Sequence, residues 1–199
     1  MKNKFLFLIV IILASCSVYE TFVNLSRLQF KLDKVSNFEL NGINLSNKKA
    51  ISDFSLQDIF NISAMFSSGK FPVSFVLNVD AKNPNDGTGG YKSTGATIQS
   101  FPWRLLIDDK ETVSGNISQP ISVPGTGEVT TIPIIVKMDL IEFFQNDGYA
   151  SLINLALTLG GENGSTSRLT LYADPVVNTT LGNISYPGEL KIVDHSFTN

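Results

Sequence analysis

Val73-Ser74-Phe75-Val76-Leu77-Asn78-Val79-Asp80-Ala81-Lys82-Asn83-Pro84-Asn85-Asp86-Gly87 is the stretch that decides the fold. Val73, Phe75, Leu77, Val79 and Ala81 occupy every second position, with Ser74, Asn78, Asp80 and Lys82 among the residues between them. A period of two sends the two sets to opposite faces of a strand, one packed and one wetter. The strand cannot pass Asn83-Pro84-Asn85. Proline fixes φ and withdraws an N–H, while the flanking carboxamides bond to nearby backbone. The loop then continues through Gly89 and Gly90.

Working outward, strand signals recur on both sides. Leu28, Phe30 and Leu32 alternate with Gln29, Lys31 and Asp33, and Phe38 and Leu40 continue the pattern. A slip to Ile43 and Leu45 at Gly42 reads as a bulge that restores the inward face. Ser55-Leu56-Gln57-Asp58 reads as a helix-capping box. Leu56, Ile59, Phe60, Ser63 and Phe66 follow at helical spacing and Gly69 stops them, so the Phe and Met side chains of this helix are expected in the core.

Downstream, Trp103, Leu105 and Ile107 face inward, Asp108 to Glu111 make a turn, and Val113, Gly115 and Ile117 return. The turn Pro124-Gly125-Thr126-Gly127 delivers a strand with Ile132, Ile134, Val136 and Met138 on one face. Pro133 lies within it, which fits an edge position. Residues 149–159 suit a helix and a strand about equally, and Asp147 as a cap tips them to helix. Residues 168–173 and 190–192 give the last strands. The expectation is a mainly β (α+β) chain, an antiparallel β-sandwich with one or two short helices, forming one domain over 28–197.

The N-terminus is of a different kind. Lys2 and Lys4 precede the apolar run Phe5–Ala14, which ends in Leu13-Ala14-Ser15-Cys16. A bilayer-spanning helix needs about 20 apolar residues, so this shorter run reads as a secretory signal over 1–15. Cys16, the only cysteine, stands where a bacterial lipoprotein processing box would place the lipidated residue. Residues 16–27 then form a lipidated N-terminus and tether. Serine rather than aspartate after Cys16 favours the outer membrane, by resemblance to enterobacterial sorting. Losing Lys2 and Lys4 makes the mature chain more acidic than the −3 of the whole sequence. Nucleic acid, which requires a basic stripe, is not an expected partner.

Groups able to move protons or hold metals are scarce. His195 is the only histidine, and no Gly-x-Ser-x-Gly accompanies it. One histidine and a lipid-bearing cysteine make up none of the usual zinc ligand sets. Asp80, Asp86, Asp108 and Asp109 lack calcium-loop spacing. Gly87-Thr88-Gly89-Gly90 lacks the Gly-Lys-Ser/Thr ending of a phosphate loop. The reading is no catalytic residue, no metal and no cofactor.

Taken in order, these motifs resemble the late embryogenesis abundant type 2 family, the water-stress and hypersensitive-response (WHy) domain, in its bacterial lipoprotein members. The strand Phe75 to Lys82 ending in Asn83-Pro84-Asn85 is similar to the family signature. So are the hairpin from Trp103 with Gly115 on its returning strand, and the turn Val123 to Gly127 with the strand through Pro133. The resemblance implies a fibronectin type III-like or immunoglobulin-like sandwich and a non-enzymatic protein linked to desiccation stress. Asn83, Pro84, Asn85, Gly115 and Pro133 are then structural motif residues. The loop from Asp86 to Gly95 is longer and richer in glycine than the family pattern. The expected partners of this monomer are the membrane, reached through the lipid on Cys16, and an envelope protein. The alternative is a periplasmic binding module or adaptor that docks on an envelope partner, or that carries a small apolar ligand with the Phe-rich helix lining its cavity.

Overall fold

The computed structural model describes residues 18–194 and 196–198, so residues 1–15, read from the sequence as a signal, and Cys16 and His195 lie outside the described residues. Among the described residues, twelve strands form three four-stranded sheets, all paired antiparallel. In the first sheet, β1 (Gln29–Leu40) and β8 (Val129–Asp139) flank β3 (Pro72–Lys82), and β2 (Ile43–Asn44) adds to the far edge of β1. The alternation of β3 behaves as its sequence requires: Val73, Phe75, Leu77, Val79 and Ala81 are all buried. β8 pairs with β3 along its whole length, from Pro72 opposite Asp139 to Lys82 opposite Val129.

The second layer consists of the other two sheets, set end to end. One contains β4 (Ala96–Ser100), β7 (Ile121–Val123), β10 (Val176–Thr179) and β11 (Gly182–Ser185). The other contains β5 (Trp103–Ile107), β6 (Lys110–Gly115), β9 (Leu169–Ala173) and β12 (Leu190–Ile192). Each strand of one continues into a strand of the other, and a proline sits in every break: Pro102, Pro120, Pro175 and Pro187. Proline donates no ladder hydrogen bond, so the pairing lapses there and the layer bends. Two backbone bonds cross the bend, Asp174 N–H to Pro102 O at 3.0 Å and Tyr186 N–H to Pro175 O at 2.7 Å. Together the layers enclose one apolar core, the interior of a β-sandwich.

Among the described residues four α-helices decorate it, where the sequence suggests one or two. Residues 18–26 form α1. This stretch reads as tether, yet its Leu25 is buried together with Leu28, so the helix is docked on the body. α2 (Leu56–Ser67) carries the expected capping box: Asp58 N–H donates to Ser55 Oγ and Ser55 N–H to Asp58 Oδ2, both at 3.1 Å. α3 (Leu140–Phe143) is a single turn after β8. Tyr149–Gly160 is a helix, α4, which settles the ambiguity of that segment. Its cap is Gly148 rather than Asp147. α4 is buried on most sides, which explains why its residues also read as a strand.

Two further expectations are corrected. Gly42 makes no bulge: Asn41 (φ 48) and Gly42 (φ 83) form the two-residue turn of the β1–β2 hairpin, with Leu40 opposite Ile43. The register shifts of β1 fall earlier, between Leu32 and Val35 and between Ser36 and Glu39. The face of α2 also differs, since Leu56 is 87% and Phe60 69% exposed while Ile62 is its one buried residue. Phe66 and Met65 are half-buried, Phe66 packing edge-on against Tyr149 of α4.

Candidate functional site

The Asn-Pro-Asn motif is a buried fastener. Asn83 is 0% and Asn85 2% exposed, at the point where β3 leaves its sheet. Asn83 Nδ2 donates to Thr94 O at 2.8 Å and to Val123 O at 3.2 Å, reaching the loop before β4 and the end of β7. Asn83 Oδ1 accepts from Asn85 N–H at 3.1 Å and from Asn85 Nδ2 at 2.9 Å. The same Nδ2 donates to Asn24 O of α1 at 2.9 Å. Main-chain bonds complete the join: Gly127 N–H to Asn83 O at 3.1 Å and Thr94 N–H to Asn85 O at 2.9 Å. Pro84 has no N–H to satisfy, and its carbonyl accepts from Arg27 Nη2 at 3.3 Å. The clasp thereby ties one strand end to a second strand end, two loops and α1.

Arg27 and Asp86 sit at its edge. The Arg27 guanidinium lies 3.5 Å from the centroid of the Tyr91 ring, a cation–π contact. Asp86 accepts from Thr88 through its hydroxyl at 2.6 Å and its N–H at 3.0 Å. These bonds, with Arg27 a lesser contributor, hold the Asp86 carboxyl below the usual carboxylate range.

Beside the clasp is a pocket of about 420 Å³ between α1, β4 and β10. None of its lining residues is charged: Thr and Asn side chains form the walls, and Leu25, Leu28 and Val177 supply apolar surface. Two lining residues, Asn24 and Asn85, hold buried amide oxygens that accept no hydrogen bond. The surface around this end is unusually apolar. Val18 (40% exposed), Tyr19 (73%) and Phe22 (47%) project from α1, joined by Tyr91 of the adjoining loop and Leu181 at the β10–β11 tip.

The remaining sequence candidates are scattered. Gly115 lies under Trp103: a Cβ there would come 2.7 Å from Trp103 Cζ2, so only glycine admits the indole. Trp103 itself is buried, as its phase requires. Pro133 faces solvent on β8, which pairs on one side only and so is an edge. Asp80 accepts from Thr131 Oγ1, and Asp108 forms an ion pair with Arg168. Asp108 and Asp109 (φ 51 and 61) make the two-residue β5–β6 turn. Among the described residues no three His, Cys, Asp or Glu side chains converge on a metal-sized space. The Phe-rich α2 does not line the pocket.

The clasp was marked by its sequence, but the pocket, the Arg27–Tyr91 contact and the role of Asn24 were not. A faint signal existed in Val18, Phe22 and Leu25, which fall at helical spacing.

No protein-family model and no curated protein matches this chain. Solved structures similar to it include the following two. A protein from Archaeoglobus fulgidus shares 7% identity over 81% of this chain and 94% of its own, with a TM-score of 0.36. The Northeast Structural Genomics Consortium target SoR45 shares 8% identity over 85% of this chain and 88% of its own, with a TM-score of 0.39. At these scores neither neighbour bears on function.

Proposed function

We propose that this chain is a lipid-anchored protein of the bacterial cell envelope, of the late embryogenesis abundant type 2 or WHy kind. It works through non-covalent contacts, protecting or scaffolding under desiccation stress, with its clasp end held against the outer membrane. The observation that carries this reading is the docked helix α1. Its first described residue follows Cys16 by two positions, a span of at most about 7 Å of extended chain. An acylated Cys16 therefore leaves almost no slack. Val18, Tyr19 and Phe22 are exposed on α1 and are the residues that would enter the roughly 5–10 Å that an interfacial helix buries. Charge at this end is balanced, Lys92 pairing with Glu20 at 3.6 Å and Arg27 lying near Asp86, so the contact is apolar rather than ionic.

Two measurements test it. Mass spectrometry of the mature N-terminus is expected to find acyl groups on Cys16; an unmodified fragment refutes the anchor. In vesicles of brominated lipid, a Tyr19→Trp variant is expected to be quenched and a Phe60→Trp variant spared, each against the constant emission of buried Trp103. Equal quenching refutes the orientation. The protective role fails separately if the protein shields a drying-labile enzyme no better than albumin.

A second reading, a carrier of a small ligand, is favoured by the pocket beside the clasp. Its volume lies in the range of ligand sites, about 300–1,000 Å³.

A further inference from the structure

We infer that the pocket beside the Asn-Pro-Asn clasp is a binding site for an uncharged, hydroxyl-rich ligand of one or two rings, a saccharide or similar polyol. The inference stands whether or not Cys16 is acylated.

The hydrogen-bonding groups around the pocket include buried acceptors that their own donors leave unmet. Asn85 Nδ2 is used twice, on Asn24 O and on Asn83 Oδ1, and these two bonds fix which way its amide points. Asn85 Oδ1 is thereby left buried and unpartnered, and Asn24 Oδ1 is in the same condition. Three donors of neighbouring groups are committed too. Thr94 Oγ1 donates to Lys92 O, Thr179 Oγ1 to Gly182 O, and Asn178 Nδ2 to Asn183 Oδ1. The walls thus offer the two unmet amide oxygens, beside Asn24 Nδ2 and the Thr97 and Thr180 hydroxyls, which can donate. A buried acceptor left unmet costs about 1–3 kcal/mol, so such a wall selects a ligand that brings its own O–H or N–H groups.

Two donor-rich classes fit that description, ammonium compounds and neutral polyols. An ammonium group entering a pocket without a carboxylate on its walls would lose hydration with no counter-charge to offset it. Neutral hydroxyls carry no such penalty. Leu25, Leu28 and Val177 suit the C–H faces of a ring. An apolar cargo would leave both amide oxygens unmet, so the lining disfavours the apolar ligand that the sequence offers as an alternative.

The test is saturation-transfer NMR on the mature full chain, held in a detergent without a sugar head. The probes are methyl glucoside and maltose, set against glucosamine and glucuronate as charged counterparts of similar size. Transfer to the two neutral sugars and little to the charged pair is the expected result. Asn24→Ala is expected to weaken sugar binding about two- to tenfold, the worth of one neutral hydrogen bond, without lowering the melting temperature. Ala96→Phe, which fills the pocket, is expected to abolish transfer while circular dichroism stays that of the parent. The inference is overturned if none of the probes receives transfer, if charged and neutral sugars are bound alike, or if both variants bind as the parent does.

Discussion

Replacing Asn83 by alanine tests the clasp directly. The carboxamide makes four hydrogen bonds, two donated to Thr94 O and Val123 O and two accepted from Asn85. A neutral hydrogen bond contributes about 1 kcal/mol net, so removing four sets a scale of about 4 kcal/mol. Asn85 Nδ2 keeps its bond to Asn24 O, which lowers the expected loss to about 3 kcal/mol. Domains are stable by about 5–15 kcal/mol, so the variant still folds. At about 2–4 °C per kcal/mol for a chain of this size, its melting temperature drops by roughly 6–12 °C. Calorimetry reads the shift, and hydrogen exchange locates it, since the N–H groups of Asn85 and Thr94 lose protection before those of β3. Asn83→Asp refines the test. The carboxylate would face two carbonyls from a fully buried position, which raises its folded-state pKa. A raised folded pKa means stability present at low pH and lost as pH rises through it, so this variant is worst near neutrality. A shift in Asn83→Ala of less than about 2 °C, well short of what the lost hydrogen bonds require, refutes the fastener.

Two other outcomes are expected. Gly160→Ala on α4 gains about 1 kcal/mol of helix propensity, but its Cβ would lie 2.1 Å from the Phe38 side chain. Overpacking typically costs about 1–3 kcal/mol and wins, so the melting point falls; adding Phe38→Gly, which removes both the Cβ and the ring that the new methyl would meet, should make the two changes markedly non-additive, and simple additivity would count against the contact. Acid acts on a second set of groups. Hydrogen bonds hold Asp58 (from Ser55), Asp86 (from Thr88) and Glu189 (from Arg104) below their ordinary values of 3.8, 3.8 and 4.5. Depressed carboxyls stabilise above the unfolded pKa and lose that contribution as pH falls through the folded one. Urea midpoints should therefore hold level from neutrality to about pH 5 and decline below about pH 4, less steeply in Asp58→Asn. A midpoint unchanged at about pH 3 would contradict this.

How much the sequence disclosed depended on whether local pattern or distant neighbours set the structure. β3 and β8 alternate over eleven residues each, so periodicity alone placed them. The capping box of α2 was equally local. The inward face of α2 was not, because apolar residues occupy more than one side and the choice fell to whatever the helix rests on, here Tyr149 of α4. β4 and β10 escaped notice because each has a single buried residue, Ile98 and Val177. Such strands exist through their ladders, not through an alternation of their own. α1 was obscured because Val18, Tyr19 and Phe22 point outward while Leu25 is buried, which leaves no clear inward stripe.

The candidate site shows the same division. Asn-Pro-Asn was legible as a chain terminator, yet its reason for being two carboxamides lies in three dimensions. The junction presents both acceptors, Thr94 O and Val123 O, and a donor, Asn85 N–H, around an Asn83 side chain that is itself fully buried. A carboxylate offers no donor, and a hydroxyl is too short to span several strand ends at once. Only an uncharged side chain with a donor arm and an acceptor arm serves. Asn83 spends both arms, whereas Asn85 spends its donor twice and keeps an acceptor beside the pocket. One residue of the motif thus closes the junction, and the other joins that junction to α1 and to the wall of a cavity.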